Sequence, residues 1–153
     1  MRGVYTVRDT ITGVTAAKLL LHLGTPGDQM IEIISARITC QNQDTSEQFL
    51  ATLARSTSPT GGDVLTPKPT EEQDQISGVT AKGGNTAITG TTEDGDSAAM
   101  ASHAANKLGG WEYVPQLEER PILTVSDFLA LSTDTALDTS SDLSVEITYR
   151  EIG

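Results

Sequence analysis

The chain has 153 residues, enough to bury roughly two thirds of its unfolded surface in one core, and is expected to form a single domain, 1–153. Its net charge of −11 and isoelectric point near 4.4 argue against a nucleic-acid partner, whose phosphate backbone needs clustered Lys and Arg. No apolar run approaches the roughly eighteen residues of a membrane span, and the N-terminus lacks the apolar core of a signal peptide, so the chain is expected to start at or near Met1.

Only 4% of the residues are aromatic, while Thr, Ser and Gly are abundant, a composition suited to a β-rich, loop-rich surface protein. Val4 to Arg8 reads as a first strand, ended at Asp9 by a Thr-rich turn. In Val14 to Leu23 the alternation of Ala17, Leu19, Leu21 and Leu23 outweighs the helix propensity of Ala, Lys and Leu. With the GTPGD turn at Gly24 to Asp28 it predicts the first arm of a hairpin. The run Gln29 to Gln41 is the expected central strand. Ile34, Ala36, Ile38 and Cys40 share one face, but Ile31 and Ile33 have the opposite parity, which predicts either a bulge or two-sided burial near Ile33 and Ile34. Cys40, the lone cysteine, reads as a small buried hydrophobe. Gln48 to Arg55 follows as a fourth strand, and the four together resemble an antiparallel meander.

Thr57 to Asp96 holds half the glycines and half the prolines, no aromatic residue and only scattered apolar ones. It cannot build a core alone and is expected as a long extended excursion or arm, with one short strand at Asn85 to Thr92. Thr66-Pro67-Lys68-Pro69 within it should be extended, because a residue preceding proline is pushed out of the helical region. Ser97 to Leu108 carries helix signals: an N-cap at Asp96 or Ser97, an Ala run and a stop at Gly109. The pattern of the whole chain favours a strand there. Trp111 and Tyr113 share a face, Ile122 to Val125 and Phe128 to Leu131 are further short strands, and Leu143 to Tyr149 alternates cleanly with Leu143, Val145, Ile147 and Tyr149 inward. Eight or more short strands predict an all-β, antiparallel, jelly-roll-like β-sandwich with one long Gly/Pro-rich excursion.

Residues for chemistry are sparse. His22 and His103 stand far apart in no metal-ligand spacing and read as surface or rim residues. No nucleotide-binding loop or nucleophile elbow is present. The acidic groups Glu93, Asp94, Asp96 and Asp134, Asp138, Asp142 invite structural calcium, but neither follows the EF-hand pattern, and a solvated acidic turn is the simpler reading. Glu118 and Glu119 are adjacent, so they point apart and do not flank one glycosidic bond. Trp111 and Tyr113 suit core or interface packing more than a sugar platform. No catalytic residue, cofactor or metal ligand is assigned.

The order of pieces VYTV, VTAAKLLLHLGTP, IEIISARI, TPKP, GGWEYVPQLEERPIL and VEITYREI resembles small β-sandwich virion proteins of tailed bacteriophages, the head decoration or cement class. The resemblance implies a non-enzymatic homotrimer on the capsid exterior, present in the host cytoplasm during assembly and bound to the major capsid protein. The alternative is a receptor- or glycan-binding β-sandwich of a head fibre or tail. Contact elements expected on the first reading are the N-terminal segment Met1 to Arg8, with Arg2, Tyr5 and Arg8, and the excursion, with Pro67, Lys68 and Pro69. Trp111 and Tyr113 complete the set. Arg2, Arg8 and Lys68 are among ten basic residues in an acidic chain and would pair with carboxylates of a partner.

Overall fold

A computed structural model describes residues 3–41, 46–71, 75–90, 99–134, 137 and 139–152. The strands are β1 (Val4–Val14), β2 (Lys18–Gly24), β3 (Met30–Cys40), β4 (Gln48–Arg55), β5 (Thr60–Leu65) and β6 (Lys68–Pro69). They continue as β7 (Thr80–Thr89), β8 (Ala99–Asn106), β9 (Trp111–Tyr113), β10 (Ile122–Leu123), β11 (Phe128–Thr133) and β12 (Ser141–Ile152). The only helical turn among the described residues is a 3₁₀ turn at Leu117–Glu119.

Two antiparallel sheets pack face to face. One has the order β10-β3-β12-β1-β6, with β9 also paired to β3; the other runs β5-β7-β2-β11-β4-β8. Without β5, β6, β7 and the two-residue β10 the orders reduce to β9-β3-β12-β1 and β2-β11-β4-β8, the two four-stranded sheets of a jelly roll. The expected β-sandwich is therefore the fold. The local path differs from the expected meander, because β1, β2, β3 and β4 alternate between the sheets. Gly24 to Asp28 does not close a hairpin but carries the chain across the sandwich. Alternation tells which face of a strand is apolar; it does not tell which sheet the strand joins.

β12 is the centre of its sheet, paired to β1 on one side and β3 on the other. Its strict alternation buries Leu143, Val145, Ile147 and Tyr149 and turns Ser144, Glu146, Thr148 and Arg150 outward. In β3 the predicted bulge is present: Ser35 faces Thr148 and Ile33 faces Tyr149, leaving Ile34 unpaired and only half-buried. Ile31, Ile33, Ala36, Ile38 and Cys40 are then all in the core, so the inward residue of the Ile33-Ile34 pair is Ile33. β1 runs past its expected end at Arg8, since β12 offers partners up to Ser141. Asp9 fits inside because Gly83 on β7 has no side chain; a Cβ there would collide with the Asp9 carboxylate. Burial, with Asp63 adding, pushes that carboxyl above its usual range despite the Thr10 amide bonded to it.

The excursion adds strands to both sheets. β5 and β7 extend one sheet beyond β2, while β6 pairs with β1 in the other. Val79, Ala81 and Ile88 enter the common core. The described parts of a segment too poor in apolar residues to fold alone are thus held by the edges they cover, and the expected strand at Asn85 to Thr92 lies earlier, as β7. Within the stretch Ser97 to Leu108, Ala99–Asn106 form strand β8, as the whole-chain pattern indicated, while Ser97 lies outside the described residues. Before β11, Ser126 turns the chain with φ 60°, the left-handed conformation in which non-glycine residues are uncommon. Asp127 holds that turn, accepting from Thr124 N and Oγ1, each at 2.9 Å, and from Arg55 Nη1 at 2.6 Å. Burial acts to raise the Asp127 carboxyl, but these donors outweigh it and hold it below the usual carboxylate range.

Candidate interaction surfaces

Tyr5 and Thr6 of β1 pair with Pro69 and Lys68 of β6, and Thr70 N donates to Val4 O at 2.8 Å. β6 is short because proline cannot donate to a ladder and is tolerated only at a sheet edge. Pro67 is buried beneath the edge, Pro69 is half-buried, and Lys68 is exposed. Thr6, Arg8, Thr66, Lys68, Pro69 and Thr70 then line a groove of about 480 Å³ with two cations and three hydroxyls.

Arg8 also begins a row across the outer face of the same sheet. In register from β1 to β9 stand Arg8, Glu146, Arg37 and Glu112. Arg8 Nη2 lies 2.5 Å from Glu146 Oε2, and Arg37 Nη2 lies 2.5 Å from Glu112 Oε1. Thr6, Thr148 and Ser35 make a hydroxyl row on one side, and Thr10, Ser144 and Thr39 one on the other. These ion pairs are open to water, where such pairs contribute little. They set the charge pattern of a flat face more than its stability.

The sequence-derived contact residues divide clearly. Arg8, Lys68 and Pro69 meet at the groove. Tyr5 is 1% exposed and belongs to the core, its ring stacked on Tyr149 at 5.7 Å and its hydroxyl donating to Gln75 O at 2.6 Å. Pro67 is likewise interior. Trp111 is 6% exposed and stacks on Tyr113 with the ring centres 6.4 Å apart, leaving no open indole platform for a sugar. Tyr113 is half-buried at the opposite side of the sheet, beyond β3, and burial, with Glu119 adding, raises its phenol. Arg2 lies outside the described residues.

The excursion is fastened from within. Tyr149 Oη lies 2.6 Å from Ser77 Oγ, which donates to Glu151 Oε1 at 2.6 Å and accepts from Val79 N at 3.1 Å. All three side chains are buried, and burial drives the Tyr149 phenol well above its usual range. Nothing in the spacing of Ser77 and Tyr149 announced this contact, which joins residues 72 positions apart.

His22, expected at the surface, is 1% exposed because β2 lies inside its sheet with both faces covered. Its Nε2 lies 2.7 Å from Ser56 Oγ and 3.2 Å from Thr57 O. A Ser-His pair at that distance has the spacing of a nucleophile and its base. Both side chains are buried, however, so the pair closes a polar gap in the core and is not presented to a substrate. Desolvation lowers the imidazole pKa to about 4, keeping it neutral. Two further buried charges were not legible in sequence. Lys107 Nζ lies 3.3 Å from Glu47 Oε2 and 3.4 Å from Thr139 Oγ1, while Glu32 Oε2 lies 2.6 Å from Arg150 Nη2.

Of the acidic groups, Glu93, Asp94, Asp96 and Asp138 lie outside the described residues. Asp134 is engaged by Thr52 and Ser132, and Asp142 Oδ1 accepts from Gly13 N at 2.9 Å. Among the described residues no three His, Cys, Asp or Glu side chains are grouped to hold a metal. No family model, no curated protein and no solved structure matches this chain.

Proposed function

We propose that this chain is a structural virion protein, a head decoration or cement protein of a tailed bacteriophage. In this reading it binds the lattice of the major capsid protein on the capsid exterior and stabilises the shell, without turnover or cofactor. The observation that carries it is the groove at the β1–β6 edge. Two segments singled out as contact elements, far apart in sequence, converge there and place Arg8 and Lys68 side by side on a chain of net charge −11. Arg8 is 73% exposed, so its guanidinium can leave Glu146 for a partner carboxylate at little cost.

The contact differs from a loose arm that folds on binding. β6 is hydrogen-bonded to β1, and residues 75–79 are fastened to Tyr149 and Glu151, so the described parts of the excursion are held before any partner arrives. Preorganisation of this kind removes part of the ordering cost of association. The test is co-sedimentation with expanded shells assembled from the major capsid protein of the same genome. The Arg8→Glu/Lys68→Glu chain, whose changes fall on exposed side chains, should keep its fold and lose binding. Undiminished binding by that folded double variant would refute the groove as the contact.

A further inference from the structure

An unpaired strand edge presents a row of N–H and C=O groups to any strand that can reach it, and sandwich proteins blunt such edges. Three of the four lateral edges of this sandwich are blunted. Along β3, β9 covers Ala36 to Ile38, β10 covers Ile31 and Glu32, and Ile33 N donates to Pro121 O between them. Beyond β1 stands β6 with its prolines, and further along the Asn85 side chain stands in for a strand. It accepts from Thr12 N at 3.0 Å and donates to Thr10 O at 2.7 Å. β5 is kinked by Gly61 and Gly62, at φ 74° and 77°, and carries the charged Asp63.

β8 is different. Its sequence, AMASHAAN, contains no Lys, Arg, Asp, Glu, Pro or Gly, and among the described residues its only sheet partner is β4. The direction of its free groups follows from the ladder. Lys107 N donates to Glu47 O, while Leu50, opposite Ala104, gives its carbonyl to Asp134 N on the β11 side. In an antiparallel ladder, residues alternate between bonding one neighbour and bonding the other. Ala101, His103 and Ala105 therefore bond to β4, and Ser102 and Ala104 aim their N–H and C=O groups outward. Ser102, His103 and Ala104 are all exposed.

We infer that the outer edge of β8 pairs antiparallel with β8 of a second copy of this chain, across a two-fold axis at His103. That register sets Ser102 against Ala104 of the second copy and Ala104 against its Ser102, so that four backbone hydrogen bonds form. Ala101 meets Ala105, and His103 meets His103 as the close, non-hydrogen-bonded pair. Small side chains let the backbones approach, and the absence of charge matters for a chain whose net −11 opposes contact between copies elsewhere. Two six-stranded sheets become one continuous sheet. The pair is two-fold, in place of the trimer that the phage-protein resemblance implies, and it stands independently of capsid binding.

The test combines cross-linking with mass. Under mild oxidation His103→Cys should give a covalent dimer, since a non-hydrogen-bonded pair holds Cα atoms about 4.5 Å apart, within disulfide reach. Ser102→Cys, facing Ala104 of the second copy, should cross-link far less, and the native chain, whose Cys40 is buried, should not cross-link. Light scattering should show the native mass rising from 16.2 kDa toward twice that value with concentration. Ala104→Pro removes an outward N–H from each copy and should weaken the dimer about ten- to a hundredfold. Should that variant fail to fold, Ser102→Lys sets like charges along the edge and should have the same effect. A strict monomer, equal cross-linking at 102 and 103, or a dimer indifferent to Ser102→Lys would each overturn the inference.

Discussion

The two outer strands of the β5-β7-β2-β11-β4-β8 sheet, β5 and β8, solve the same problem in opposite ways. β5 is glycine-kinked, charged and bound up with the excursion, whose neighbour β7 sends Asn85 across to the edge of β1. β8 carries no charge, has one register shift near Met100, and among the described residues pairs with β4 alone. The difference teaches what the excursion is for within the fold: it closes one flank of the jelly roll, on both sheets at once, and leaves the other flank as a surface for association.

Removing the closure should have the largest effect. Replacing Thr57 to Asp96 by a short Gly-Ser turn takes away β5 to β7, uncovers β1 and β2, and strips Val79, Ala81 and Ile88 from the core. On apolar burial alone this costs about 5 kcal/mol, comparable with the whole stability of many domains. The shortened chain should aggregate or melt tens of degrees lower, and a soluble, cooperatively folding product would break the comparison.

Acid should act on the same flank with the next largest effect. His22 sits under Ser56 and Thr57, where the excursion begins, with a folded pKa of about 4 against an ordinary value of 6.5. The unfolded chain therefore binds the proton more readily. The stability that a neutral His22 supports is complete above about pH 6.5, is lost as pH falls toward 4, and amounts to at most about 3 kcal/mol. Denaturant midpoints at pH 7 and 4.5 should differ by this amount beyond the carboxylate contribution, and His22→Gln should reduce the difference. An unchanged pH dependence in a folded His22→Gln chain would count against the buried neutral imidazole.

Smaller still is Asn85→Ala, which leaves Thr10 O and Thr12 N to water and should cost about 0.5–1.5 kcal/mol. It should also make the β1 flank sticky, seen as concentration-dependent light scattering. The flank at β8 should respond otherwise: Ser102→Lys, at an exposed position, gives up the 3.1 Å contact of Ser102 Oγ with Thr52 Oγ1 and should lower the melting temperature by only a few degrees.

How much of this was legible depended on the range of the signal. The inward residues of β12 and the bulge in β3 could be read because alternation is local: Leu143 to Tyr149 keep one parity, and Ile33 and Ile34 break it. β8 could be read as a strand only against its own Ala-rich propensity. Sheet membership could not be read, since nothing in GTPGD says whether the chain turns back or crosses over. Nor could the ordering of the excursion, whose apolar residues are few because neighbouring strands supply most of the core they enter. The groove was half legible: Arg8 and Lys68 were named from charge and context, but Tyr5, Pro67 and Trp111 are interior for reasons of long-range packing.

The proposed virion role is tested most directly by electron cryomicroscopy of the phage particle encoded with this chain. The account requires jelly-roll density on the outer surface of the head, oriented so that the β1–β6 groove with Arg8 and Lys68 meets acidic side chains of the major capsid protein. Absence of the chain from the head surface, or a docked copy whose groove faces solvent, would contradict it.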